Sequence, residues 1–326
     1  MRMVAWCLGG AITAVTLAGG PAGAAEYPEM QLRLATVYSD TYVESQALVR
    51  FQEAVTEKSG GKITFRYNTG TALGGQNELN DLVSTGGLDM VVHGRPPSAP
   101  YLGFFLPYAI ADHDHLLRIM QTPMAEEWSN ELHRTTGLVS MGAWVRGVRH
   151  TIARNPYGSL EDLKGAKIRV PDIPALVAAV ESWQANPVII SYAEVYTAVA
   201  TGAVDGLENT LGSFISDRFY EVAKNVLLTA HATSPVFWVA NGDWWDGLSD
   251  DTRQLLRTEA NEAIAWAVEQ NKGLEKGWKE DLESKGVTIR TPANPDAFRE
   301  AISGFLNSEA EKAWGAEGWK QIQALR

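Results

Sequence analysis

Runs of period-two hydrophobicity alternate with runs of helical period over residues 31–93, and the alternation starts again near Leu138. Leu32 and Leu34 stand between Gln31 and Arg33, the pattern of a half-buried strand. Ala47, Leu48, Phe51, Ala54 and Val55 then fall on one helical face, and Gly60-Gly61 ends it. Ile63, Phe65 and Tyr67 alternate with Lys62, Thr64 and Arg66 in a second strand. Gly74-Gly75 leads into a helix carrying Leu79, Leu82 and Val83, Gly86-Gly87 stops it, and Leu88 to His93 is again strand-like. Strands separated by helices pair in parallel, because the crossover helix carries the chain back to the same end of the sheet before the next strand begins. An α/β fold with a largely parallel sheet follows.

In the second block, residues 138–152, 167–170 and 204–209 read as strands. Ser159-Leu-Glu-Asp162 and Ser191-Tyr-Ala-Glu194 have capping-box spacing and mark helix starts, the second helix stopping at Gly202. The restart predicts a second α/β domain. Without a Pro/Gly/Ser linker, the chain is expected to cross between the two more than once. Past Ser249, apolar residues keep helical spacing from Leu255 to Leu282. A helix of about 35 residues would be roughly 50 Å long, enough to brace two domains, with Gly273 and Gly277 as candidate kinks.

The first 25 residues differ from the rest. Arg2 precedes an apolar run from Val4 to Leu17, and Ala22-Gly23-Ala24 matches a signal-peptidase site. Residues 1–25 are therefore expected to be a signal peptide, and the mature chain to be periplasmic. Cys7, the only cysteine, lies inside that segment, so no disulfide or thiol chemistry is expected after cleavage. A net charge of −11 argues against a nucleic-acid partner.

The motifs of serine hydrolases, P-loop enzymes and zinc proteases are absent. Asp112-His113-Asp114-His115 reads as a capped helix start rather than a metal site, since consecutive helical residues diverge. His150 and His231 stand alone and read as core or hinge residues. No enzyme activity, metal or cofactor is expected.

What remains is a set of arginines. Arg146 and Arg149 are three apart on strand-like sequence and should face opposite ways unless Gly147 introduces a bulge. Arg169 ends a strand that Pro171 terminates. The carboxyl end of a strand is where open α/β sheets place ligand crevices, and an arginine fork suits a carboxylate. A structural ion pair is the alternative for both Arg149 and Arg169. Glu208 and Asn209, after Gly206, read as either cleft or turn residues.

These residues sit in longer motifs: Gly147-Val-Arg149, Leu160-Glu-Asp-Leu-Lys-Gly-Ala-Lys-Ile-Arg-Val-Pro171, Glu194-Val-Tyr196 and Thr201-Gly-Ala-Val-Asp-Gly-Leu-Glu-Asn209. Leu73-Gly-Gly, Gly87-Leu-Asp89 and Phe105-Leu-Pro107 precede them. Together they resemble the solute-binding proteins of tripartite ATP-independent periplasmic (TRAP) transporters, of the C4-dicarboxylate-binding type. The resemblance implies a two-domain Venus-flytrap fold with a domain-spanning helix. It implies a division into residues 26–146 plus about 235–274, and 147–234 plus about 275–326. It implies a small organic-acid ligand, TRAP permease subunits as partners and a monomeric chain.

In ligand binding, the resemblance gives Arg169 the carboxylate, with Arg149 assisting, Asn209 in the same cleft, Tyr192 packed on the ligand and Asp172 as a polar contact. Leu207 departs from the usual glutamine. Gln76 and Gly94 stand where relatives that bind polyhydroxylated acids often carry acidic residues, which argues against a large sugar acid such as sialic acid. Tyr38, His93, Arg95, Trp144, Arg146, Phe214 and Trp238 are further aromatic and basic candidates, which leave an apolar acid and a dicarboxylate both open.

Overall fold

The computed structural model describes residues 26–94 and 98–326; the expected signal peptide and Arg95 lie outside them. Nine strands occur among the described residues: β1 (Met30–Thr36), β2 (Ile63–Asn68), β3 (Met90–His93), β4 (Leu138–Ala153), β5 (Lys167–Val170), β6 (Asn186–Ile189), β7 (Gly206–Thr210), β8 (Asn225–Asn241) and β9 (Thr288–Arg290). They form one hydrogen-bonded path in the order β2-β1-β3-β8-β4-β7-β5-β6, with β9 on β8. The expected parallel units are present: β1 pairs in parallel with β2 and β3, and β5 with β6 and β7. The sheet as a whole is mixed, because the long strands β4 and β8 run antiparallel through its middle.

Those two strands belong to both halves of the molecule. Near its C-terminal end β8 pairs with β3, and near its start with β9, while the end of β4 pairs with β7. The buried apolar residues divide accordingly. One cluster gathers Leu32, Phe51, Met90, Trp144 and Trp238. Two others gather Val195, Leu207 and Phe214, and Ile168, Trp183 and Phe298.

The helix Asp250–Ser284 joins the first two clusters. Its Leu256, Ala260 and Ile264 pack in the first, its Leu282 in the second. Ser249 caps it by accepting from the Thr252 backbone N–H, which satisfies one of the amides a helix start leaves free. The helix runs through Gly273 and Gly277 without a break. The last helix, Pro295–Ala324, breaks at Gly315, and its Ala310, Trp314 and Ile322 pack in the first cluster. Phe298, near the start of the same helix, packs instead with Ile168 and Trp183.

Of two local expectations, the first is met only in part and the second is met. The box at Ser159 forms, with Asp162 accepting from the Ser159 N–H and Ser159 Oγ from the Asp162 N–H. It starts only a single 3-10 turn, Glu161–Leu163, because Gly165 takes a positive φ of 76° and turns the chain into β5. Asp112 caps the helix His113–Met120 through the His115 N–H, and Lys272 pairs with Asp114.

Candidate functional site

Between Val145 and Val148 of β4 the register to β8 slips: Val145 faces Pro235 and Val148 faces Thr233. Arg146 and Gly147 therefore stand opposite Ser234 alone, the two-against-one arrangement of a β-bulge. Gly147 has a φ of 141°, a backbone state that side chains with a Cβ rarely adopt. The bulge removes one step of alternation, so arginines three apart reach the same partner. Ser234 Oγ accepts from Arg146 Nε at 3.2 Å and from Arg149 Nη1 at 3.0 Å.

Around them lies a cavity lined by Val37, Tyr38, Gln76, Gly94, Phe105, Arg146, Arg149, Arg169, Pro171, Ile173, Tyr192, Asn209 and Ser234. Most of this wall comes from carboxyl ends of strands. Tyr38 follows β1, Gly94 follows β3, Arg169 is near the end of β5, and Asn209 near the end of β7. Loops leaving parallel strands splay there and open a crevice. A larger cavity, about 340 Å³, shares Gln76, Arg169, Pro171 and Tyr192 and adds Asp172, Ser191 and Thr71. It is the outer part of the same cleft.

The arginines differ in what they touch. Arg149 closes its fork on Glu208, with Nε to Oε2 at 2.6 Å and Nη2 to Oε1 at 2.7 Å. Nη2 also donates to the Glu208 carbonyl at 3.2 Å. Glu208 is fully buried; burial alone would raise its pKa, but Arg149 and the His231 bond outweigh it and hold the carboxyl at about 2. His231, whose own pKa burial lowers, is neutral. Its Nε2 lies 3.1 Å from Glu208 Oε2, an ionised acceptor, so Nε2 carries the proton and Nδ1 accepts from Thr229 Oγ1 at 2.8 Å. Arg149, expected to assist the ligand, is thus mostly consumed by an internal carboxylate.

Arg169 has no such partner. It is 3% exposed, donates Nε and Nη2 to the Ile190 carbonyl at 3.0 and 2.8 Å, and lies 5.6 Å from the centre of the Tyr192 ring. Burial lowers its pKa to about 10, so it stays cationic at neutral pH. Arg146 likewise meets only neutral groups. Nη1 donates to Ser213 Oγ at 2.9 Å and Nη2 to Asn209 Oδ1 at 3.0 Å, with the Tyr38 and Tyr42 rings 5.0 and 5.5 Å away. Neither arginine forms an ion pair among the described residues.

A bridge of hydrogen bonds crosses the cleft beside them. Tyr42 and Tyr192, 150 residues apart, both donate to Asp217 Oδ2, and their hydroxyls lie 3.1 Å from each other. Burial raises the pKa of Asp217 and of both tyrosines.

Of the residues singled out from sequence, Arg169, Arg149, Asn209, Tyr192, Tyr38, Gln76 and Arg146 share the inner cavity, and Asp172 lines the outer part alone. Trp144, Phe214 and Trp238 line neither. Each is buried in a core cluster, Trp238 edge-on to Phe51, since large rings gain most where water is fully excluded. His93 ends β3 fully buried and is outside the lining. Ser234, Tyr42 and Asp217 carry no local signal; the β4–β8 register brings Ser234 to the site, and the bonds of Tyr42 and Tyr192 bring Asp217 beside it.

Residues 34–312 match the family described as bacterial extracellular solute-binding protein, family 7. The chain belongs to this family. It is 28% identical over 266 residues to the sialic acid-binding periplasmic protein of Vibrio cholerae, covering 80% of this chain and 82% of that one. A TRAP periplasmic solute-binding protein of Bradyrhizobium, in complex with galacturonate, aligns with a TM-score of 0.81 at 28% identity, over 91% of this chain and 99% of that one. One from Bordetella bronchispeptica aligns at 0.85 and 21% identity, over 91% and 99%. This family 7 member is thus a TRAP-type solute-binding protein with the two-domain periplasmic binding fold, braced by the helix Asp250–Ser284.

Proposed function

We propose that this family 7 protein works in the periplasm as a monomer, closing over a small organic acid and delivering it to TRAP membrane subunits. The observation that carries the reading is Arg169, a buried cation with free donors at the carboxyl end of β5 and no ion-pair partner among the described residues. A carboxylate supplies the missing charge and accepts two parallel bonds from the fork. Acid ligands in relatives, sialic acid by name and galacturonate in complex, support the same reading.

The moving bodies follow residues 26–146 plus about 235–274, and 147–234 plus about 275 onward, with the tail of the last helix riding on the first. The bulge at Arg146 and Gly147 serves as the hinge, because the β4–β8 ladder is already interrupted there. Tyr38 and Gln76 close from one body on a ligand held by Arg169, Tyr192 and Asn209 of the other. Ligand contacts made only when closed shift the protein to that state. Binding needs no bond to be made or broken, and no catalytic role is assigned to any residue.

Thermal unfolding of refolded, ligand-free protein against mono-, di-, keto- and uronic acids tests this. A ligand at 100 times its Kd adds about 2.7 kcal/mol of stability. The stabilisation should vanish in Arg169→Ala. Undiminished stabilisation in that variant, or none in the wild type with any acid, refutes the proposal.

A further inference from the structure

We infer that Tyr42, Asp217 and Tyr192 form a latch across the cleft, so that Tyr42 and Asp217 set how long an acid is held without touching it. This rests on the reading of the cleft as an acid site between two closing bodies, and adds the side chains that govern release.

The latch joins parts of the molecule that pack in different apolar clusters. Tyr42 caps the start of the helix Val43–Lys58 and packs in the first cluster, with Leu48 and Phe51. Tyr192 opens the 3-10 turn Tyr192–Glu194 after β6 and packs against the second. Asp217 ends the short helix Leu211–Ser216, whose Phe214 lies in that second cluster. The bond from Tyr192 to Asp217 thus stays within one body and holds the carboxylate ready. The bond from Tyr42, donated from the other body, forms only when the two meet.

The proton count balances. An ionised carboxylate only accepts, and each phenol has one proton to give. Asp217 Oδ2 takes one from each tyrosine, and the 3.1 Å between the hydroxyls follows from their sharing that oxygen. Burial raises the pKa of Asp217, and the positive charge of Arg146 pulls it the other way. The same guanidinium lies 5.5 Å from the centre of the Tyr42 ring, so the cation at the hinge steadies both the ring and the anion of the latch. Neither Tyr42 nor Asp217 lines the inner or the outer part of the acid cleft. Tyr42 lines instead a separate cavity of about 60 Å³, with Glu44, Arg146, Ser213 and Asn271. Removing its hydroxyl therefore leaves the walls of the acid cleft in place. The change should appear in release rather than capture, because the bond forms after the acid has entered.

Stopped-flow tryptophan fluorescence on refolded protein separates the two rates. The probe is D-galacturonate or, if that gives no thermal shift, whichever of the mono-, di-, keto- and uronic acids gives the largest. Tyr42→Phe should release the acid at least about 10-fold faster, with capture changed by less than about twofold. In an Asp217→Ala background the same substitution should add less than about threefold, because its partner is already gone. If Asp217→Ala does not fold, the split in rates for Tyr42→Phe is decisive by itself. Unchanged release, an effect carried mainly by slower capture, or a full effect of Tyr42→Phe without Asp217 overturns the inference. Each of these leaves the acid-receptor reading standing, since wild type still binds. Wild type that binds none of the acids refutes that reading alone. The latch is then judged from the distance between spin labels at Ala72→Cys and Glu194→Cys, exposed positions beside Thr71 and Ala193 of the outer cavity. Tyr42→Phe should lower the ratio of short to long distances about 10-fold; identical distributions overturn the latch.

Discussion

Replacing Glu208 by Gln puts the buried charge pair to a direct test. The side chain keeps its shape but loses its charge, and its amide turns a donor toward the Arg149 fork, now held at 2.6 and 2.7 Å by the two carboxylate oxygens. Arg149 is 4% exposed and has no second carboxylate among the described residues. Removing one partner of such a pair costs about 3–5 kcal/mol. The pKa leads to a similar size. Folding takes the carboxyl from an ordinary 4.5 to about 2, and at about 1.4 kcal/mol per pH unit that is about 3 kcal/mol of stability. A depressed carboxyl pKa stabilises above the unfolded value, and that stability is lost as pH falls through the folded one. Urea unfolding should therefore show wild type ahead by about 3 kcal/mol at pH 7, narrowing by about 2 kcal/mol at pH 3. A gap under about 1 kcal/mol at pH 7, or one that does not narrow in acid, refutes the argument.

Gly147→Ala should destabilise by about 1–3 kcal/mol, because φ is 141° and the new Cβ would stand 3.3 Å from Glu275 Oε1 and Thr210 Cγ2. Urea unfolding measures this, and calorimetry should show weaker acid binding as Arg146 and Arg149 lose their common partner. His150 is buried, with its pKa pushed from 6.5 to about 3, first by burial and then by His231. The unfolded state takes up the proton first, so stability falls as pH drops below 6.5, by about 2 kcal/mol at pH 5. His150→Gln should flatten the profile of urea stability between pH 7 and pH 5 by that amount; an unchanged slope contradicts it.

Local order was legible wherever it depends on neighbours in the chain. The long helix could be bounded at Ser249 and Lys285 because a cap and a hydrophobic period are short-range properties, and the structure ends it at Ser284. Arg169 could be singled out because Pro171 ends a strand two residues later, and carboxyl ends of parallel strands open onto crevices. Even the bulge was anticipated as a condition on Gly147, the residue able to take its backbone angle.

Partnership across the sheet was not legible. Arg149 and Arg169 have the same residue type and similar surroundings in sequence, yet one is claimed by Glu208 and the other is not. That difference arises because β4 pairs with β7 in a register that sets Thr151 opposite Glu208. Trp144 and Trp238 were indistinguishable from wall residues because β4 and β8 are buried on both faces, so alternation no longer tells core from cavity. The elements and the supply of cations follow from local sequence. Which cations keep free donors follows from the fold, because an ion pair depends on which strands become neighbours.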